Sequence, residues 1–169
     1  MDLQIRCGES RDLNRLVEIY NHYVTETHNT FDTEAFAVAA RTQLFTQFAE
    51  SGPYRLLVAE SDDEILGYAT STVFKPKTAY NTSVETTVYL DNNHLGQGLG
   101  IQLYSQLIDV LINEEPVHRA YGGVALPNDG SVALHEKLGF VRVASYHEVG
   151  FKLGQYWDVD WFEKDVSAS

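Results

Sequence analysis

The chain reads as a mixed α/β domain, a central sheet with helices on both faces. Three observations predict this. Short runs of β-branched and aromatic residues alternate with longer stretches whose apolar residues recur at helical spacing. The resulting order is β-α-α-β-β-β-α-β-α-β-β. One run, Val84 to Leu90, passes through Asp91-Asn92-Asn93 into Gly96-Gln97-Gly98-Leu99-Gly100 and directly into a helical pattern. There is no internal repeat, low-complexity run or linker, so residues 1–166 read as one domain and 167–169 as a tail.

Taken in order, Leu3-Gln4-Ile5-Arg6-Cys7 alternates as a first strand. Ser10 is placed to cap the next helix, with Asp12 in its first turn favouring the dipole. Leu13, Leu16, Val17, Tyr20, Tyr23 and Val24 form that helix's apolar stripe. After a polar loop from Thr27 to Asp32, a second helix is expected from about Glu34 to Phe48, burying Phe36, Ala40, Leu44 and Phe48. Ser51-Gly52-Pro53 breaks it. Tyr54 to Glu60 and Ile65 to Phe74 are strands joined by a turn, and Lys75 to Asn81 is a loop into the central run. Leu99, Leu103, Leu107, Val110 and Leu111 mark one face of a helix from Gly98 to Asn113. Tyr121 to Leu126 is a strand, and Ser131 to Leu138 a short helix that Gly139 ends in the left-handed conformation. The last two strands run from Val141 to Phe151 and from Tyr156 to Glu163. In the second, Trp157, Val159 and Trp161 alternate with Asp158 and Asp160, which predicts one buried face.

Composition narrows the function. A net charge of −12 over 169 residues argues against nucleic acid or anionic membrane as partners. It also requires an anionic ligand to be held mainly by backbone N–H groups. The single cysteine, Cys7, leaves no internal disulfide and is expected to be a buried, inert thiol. No stretch reaches transmembrane length, and Met1 to Arg6 shows no leader pattern, so a cytoplasmic protein is expected.

A glycine-rich loop at a helix start is an anion site, because free N–H groups and the positive end of the helix dipole converge there. The spacing is not G-x-G-x-x-G, since Ile101 follows Gly100, and no Gly-Lys-Ser/Thr follows as in a P-loop. Gly98 and Gly100 instead resemble the acetyl-CoA pyrophosphate loop of the GNAT N-acetyltransferases, with Leu95 where Arg or Gln is usual. Within that superfamily the chain is similar to the phosphinothricin and methionine-sulfone (or sulfoximine) acetyltransferases. The stretches that carry this are Thr30 to Glu34, Ala79-Tyr80 through Leu90, Leu126 to Phe140, and Gly150 to Gly154 with Trp157-Asp158-Val159.

The resemblance implies the GNAT fold, acetyl-CoA as co-substrate, no metal, and direct transfer to the α-amine of a small amino-acid analogue. Glu85 is the expected base, a carboxylate on a strand otherwise built of threonine and apolar residues. His135 stands in the slot of the acid that protonates the leaving thiolate. Backbone N–H groups of Val88, Tyr89 and Leu90 are to polarise the carbonyl. Gly96, Gln97, Gly98, Leu99, Gly100, Ile101, Asn128 and Ser131 complete the expected cofactor site. Phe31, Glu34, Lys75, Lys77 and Tyr80 are the expected acceptor residues, the lysines meeting a carboxylate or phosphinyl oxygen. Tyr156, Trp157 and Trp161 are expected in the core or in a homodimer contact. Two rivals stay open: another amine as acceptor (a polyamine, an aminoglycoside, a protein N-terminus), and a non-catalytic acyl-CoA-binding module.

Overall fold

The computed structural model describes residues 3–167. The elements are β1 (Gln4–Cys7), α1 (Leu13–Glu26), α2 (Val38–Phe45), β2 (Leu56–Ser61), β3 (Glu64–Val73), β4 (Ser83–Leu90), α3 (Leu99–Ile112), β5 (Arg119–Ala125), α4 (Asp129–Lys137), β6 (Val141–Lys152) and β7 (Gln155–Asp165). All seven strands form one sheet in the order β1-β2-β3-β4-β5-β7-β6. Every neighbouring pair is antiparallel except β4 and β5. No helix among the described residues is long and apolar enough to cross a membrane.

Each face of the sheet carries its own core, because successive side chains along a strand point to opposite faces. On one side, α3 packs Leu99, Leu103, Leu107 and Leu111 against Leu57, Ala59, Ala69 and Val84. On the other, α1 packs Leu16, Ile19, Tyr20, Tyr23 and Val24 against Leu56, Val58, Ile65 and Tyr68. The split falls along β4: Val84, Val88 and Leu90 belong to the α3 core, and Tyr89 to the α1 core.

Four expectations are corrected. Helix α2 has 8 residues, and Ala40 and Leu44 are exposed. Its aromatic anchors Phe36, Phe45 and Phe48 only partly bury against the α1 core. The tertiary contact, not the apolar spacing, sets its length. Ser10 opens a single 3-10 turn and does not cap α1. Asp12, buried below that turn, accepts the Glu9 N–H at 2.8 Å and two hydrogen bonds from the Arg6 guanidinium at 2.8 and 2.9 Å. On β7 the buried residues are Asp160 and Phe162, while Trp157, Val159 and Trp161 are half-buried. Asp160 tolerates burial because Ser145 donates to it at 2.6 Å and Arg142 at 3.0 Å. Cys7 is half-buried against the α3 core.

Arg6 ties β1 to two carboxylates, Asp12 and, at 2.5 Å, Glu60. Burial alone would push the Asp12 carboxyl up, but the Arg6 guanidinium and the Glu9 amide together hold it below the ordinary carboxylate value. A lowered native pKa stabilises the fold above the unfolded-state value and loses that contribution as pH falls through the native value. Asp12→Asn should therefore cost about 1.5–3 kcal/mol at pH 7, a charged hydrogen bond's worth, since Arg6 keeps Glu60. The gap in Tm between wild type and variant should narrow toward pH 2; a gap that stays constant would show that ionised Asp12 contributes nothing.

Candidate active site

Strands β4 and β5 pair only from Ser83↔Arg119 to Glu85↔Tyr121. β4 continues to pair with β3 as far as Leu90. From Thr86 onward the two parallel strands part, and the β4 edge facing β5 loses its ladder. Such a gap must be filled by polar partners, because unpaired buried backbone groups are costly. The filler is a chain of side chains. Thr86 Oγ1 lies 3.1 Å from the Tyr121 carbonyl and 2.6 Å from the Tyr104 hydroxyl. Tyr104 is 3.2 Å from His135 Nε2, and His135 Nδ1 is 2.8 Å from the Ser131 carbonyl.

The Ser131 carbonyl can only accept, so Nδ1 carries a hydrogen and Nε2 of a neutral ring accepts the Tyr104 O–H. Burial pushes the His135 pKa down, which favours that neutral ring. Tyr104, almost fully buried, is pushed up and stays protonated. Gly122 makes room for the ring: a methyl group there would overlap His135 Nε2.

Two clefts open on either side of this gap. The larger, about 660 Å³, is lined by Val88, Tyr89, Leu90, Gly96, Gly98, Gly100, Ile101, Asn128, Ser131 and His135. All of these are expected site residues. Of the same expected set, Gln97 is outside the lining, and Leu99 is turned into the α3 core. Gly96 and Gly98 have φ of +74° and +76°, a conformation that side chains strain, and Gly98 caps α3. Asn128 caps α4, its Oδ1 accepting the Ser131 N–H at 3.1 Å. Its Nδ2 has no partner among the described residues. Lys137, which sequence reasoning did not single out, lines the same cleft.

The smaller cleft, about 410 Å³, lies on the α1–α2 side and is lined by Glu85, Thr87 and Tyr89 of β4, Thr70 and Thr72 of β3, Tyr20 of α1, and Arg41 of α2. Glu85 has no hydrogen bond or ion pair among the described residues, and burial raises its pKa. Thr87 and Tyr89 line both clefts, so the two meet where β4 leaves β5.

The expected acceptor residues stand outside these linings. Lys75 Nζ sits 5.1 Å from the Phe74 ring centroid and 5.2 Å from that of Tyr80, in the loop that follows Val73 at the cleft's end. Lys77 and the exposed Glu34 line neither cleft. Phe31 lies over Gly150 of β6, where a Cβ would overlap its ring. The segment carrying Phe31 is pinned from below. Buried Lys152 donates to the Thr30 carbonyl at 2.7 Å and the Tyr23 carbonyl at 3.2 Å, and Tyr20 donates to Asp32. Arg41, Tyr104 and Lys152 escaped sequence reasoning. Arg41 lies off the expected apolar face of its helix and reads as a solvated cation, Tyr104 is one more large residue on an apolar helix face, and Lys152 is a cation in a strand. Among the described residues no group of three or more His, Cys, Asp or Glu side chains is placed to hold a metal ion.

Residues 5–161 match the acetyltransferase (GNAT) domain family. The phosphinothricin N-acetyltransferase of Streptomyces coelicolor is 50% identical, over 98% of this chain and 97% of its own. The L-methionine sulfoximine/L-methionine sulfone acetyltransferase of Pseudomonas paraeruginosa is 29% identical, over 100% of this chain and 98% of its own. Among solved structures, a GNAT superfamily phosphinothricin acetyltransferase from Sinorhizobium meliloti in complex with acetyl-CoA superposes with a TM-score of 0.93 at 26% identity, over 99% of this chain and 90% of that one. A parted β4–β5 pair, a glycine loop opening α3 and a family match along nearly the whole chain agree: this protein belongs to the GNAT acetyltransferase family and is an N-acetyltransferase.

Proposed function

We propose that the protein transfers acetyl from acetyl-CoA directly to the α-amine of a small amino-acid analogue of the phosphinothricin, methionine sulfone or methionine sulfoximine type. The observation that carries this reading is the meeting of the two clefts at Thr87 and Tyr89, on the parted edge of β4. The names of the relatives support the choice of acceptor.

In this reading the larger cleft takes acetyl-CoA. Its pyrophosphate lies against the N–H groups of the loop from Gly96 to Gly100, at the start of α3. Asn128 Nδ2 is free to hydrogen-bond the pantetheine arm. Where β4 has lost its ladder, backbone N–H groups between Val88 and Leu90 can face the thioester oxygen. Donors fixed in advance at a developing oxyanion are commonly the largest catalytic contribution. The acceptor enters from the α1–α2 side as an ammonium and loses its proton to Glu85, whose raised pKa makes it a stronger base than an exposed glutamate. The free amine attacks the carbonyl, and as the tetrahedral intermediate collapses the C–S bond breaks, the nitrogen sheds its surplus proton to become an amide, and the departing thiolate takes one up. Its proton is assigned to His135. A neutral, buried ring relays a proton but does not store one. For Nε2 to hand a proton over, the ring must first take one up, the proton that the attacking nitrogen sheds, because the buried Tyr104 hydroxyl keeps its own. Lys75 and Lys77, on the loop beyond Val73, are assigned to the acceptor's second polar head.

The decisive variant is Glu85→Gln, which keeps shape and hydrogen bonding but removes the base. It should lower kcat/KM for the acceptor by about 10²–10⁴-fold at neutral pH with the KM for acetyl-CoA retained. In wild type, kcat/KM should rise with pH through a value above the usual carboxylate range, because ionised Glu85 is the active form. The variant should lack that limb and regain rate only as the acceptor itself becomes neutral. Wild-type activity in folded Glu85→Gln would remove this residue from the mechanism.

A second variant tests the filler of the gap. Gly122→Ala should push His135 away from Tyr104 and lower kcat by up to the ~10²-fold of a positioned acid. Unchanged kcat, in a protein with wild-type acetyl-CoA binding, would confine His135 to packing.

A further inference from the structure

The smaller cleft holds a cation that the chemistry above does not use. Arg41 sits on α2, half-buried, its guanidinium 4.6 Å from the Tyr20 ring centroid and 4.7 Å from that of Phe36. Every other arginine of the chain is neutralised: Arg6, Arg11, Arg15, Arg55, Arg119 and Arg142 each hold a carboxylate. Arg41 has no hydrogen bond and no ion pair among the described residues. Partners are not scarce, since 24 acidic residues face 12 basic ones. The placement withholds them: of the residues lining this cleft, Arg41 is the one cation and Glu85 the one anion.

Both rings lie within cation–π reach of the guanidinium carbon, and the N–H edge of the ion has no hydrogen-bond partner among the described residues. That edge matches a carboxylate, two parallel hydrogen bonds at once. Gln47, just beyond α2, lines the same cleft, and its Nε2 is buried without a hydrogen-bond partner. An unclaimed fork and an unclaimed amide donor in a cleft with one carboxylate describe a receptor for an anion next to an ammonium.

We propose that Arg41, seconded by Gln47, binds the carboxylate of the acceptor, so that the cleft recognises a zwitterion with Glu85 toward its ammonium. This rests on the reading of the chain as an acetyltransferase of amino-acid analogues and deepens it. Arg41 is the specificity-determining residue that separates amino acids from simple amines. Lys75 and Lys77 are left for the other end of the acceptor.

The test compares methionine sulfone with its α-carboxamide as acceptors, by release of free thiol, in wild type, Arg41→Gln, Arg41→Lys and Gln47→Leu. The amide also lowers the pKa of the neighbouring amine, so each acceptor is compared with itself across variants. Arg41→Gln should lower kcat/KM for the acid by roughly 10–100-fold, mainly through KM, which is the worth of a charge-assisted pair. It should leave the amide and the KM for acetyl-CoA nearly unchanged. Arg41→Lys should recover part of the loss, and Gln47→Leu should show a smaller loss confined to the acid. A loss shared equally by acid and amide would mark Arg41 as a packing residue, and no loss on either would mark it as idle; both overturn the inference while the acetyltransferase reading stands. If wild type acetylates neither compound but does acetylate a polyamine or a peptide N-terminus, the amino-acid reading itself falls and the inference with it.

Discussion

The site depends on one interrupted ladder. β4 and β5 share three residue pairs and then part, although β4 goes on for five more residues toward Leu90. Parallel neighbours that separate inside a sheet leave donors and acceptors facing a gap, so the gap must be either filled with polar side chains or opened to a ligand. This protein does both. Thr86, Tyr104 and His135 fill the inner part, and the outer part is the rim where the two clefts meet. Rigid filling below is what allows the open edge above to keep its shape.

The filler has an uneven count of protons. Its contacts run Tyr121 carbonyl, Thr86, Tyr104, His135, Ser131 carbonyl, which makes four links. A neutral ring brings only the hydrogens of Thr86, Tyr104 and Nδ1, so one link lacks its proton. An imidazolium would supply the missing one, with each group donating in turn toward Tyr121. Burial opposes that charge and keeps the ring neutral.

Much of the architecture was legible because it rests on short-range pattern. The alternation in the strands, the apolar face of α3 and the glycines before it mark their elements directly, and the strand–loop–helix places Gly98 and Gly100 beside the cleft. Glu85 stood out as a carboxylate on a strand of threonines. What sequence could not carry were the properties that need two distant segments at once. The parting of β4 from β5 is a relation between strands thirty-odd positions apart. The short α2 follows from the few aromatic side chains that reach the α1 core, not from its own weak patterning. Asp160 reads as an outward residue until Ser145 and Arg142 of β6 are seen to satisfy it. Arg41 was invisible for the same reason: a lone arginine means nothing until every other one is found paired.

The net charge of −12 gives these placements a common logic. Both ligands of the proposed reaction are anionic in part, and a surface this acidic repels them at long range. Attraction must then be local and dry. At the glycine loop it comes from backbone dipoles, which add no net charge and cannot be neutralised by a neighbouring glutamate. In the proposed acceptor cleft it would come from one guanidinium, Arg41, which lies within cation–π reach of Tyr20 and Phe36 and pairs with no carboxylate among the described residues. In the same cleft stands Glu85, partly desolvated and without an ion pair among the described residues, the base of the proposed reaction. An acidic protein that handles acidic ligands has to keep its few attractive groups away from its many acids. Pairing six arginines with carboxylates while leaving the seventh in the cleft does so, because the paired six no longer compete for the acceptor's charge.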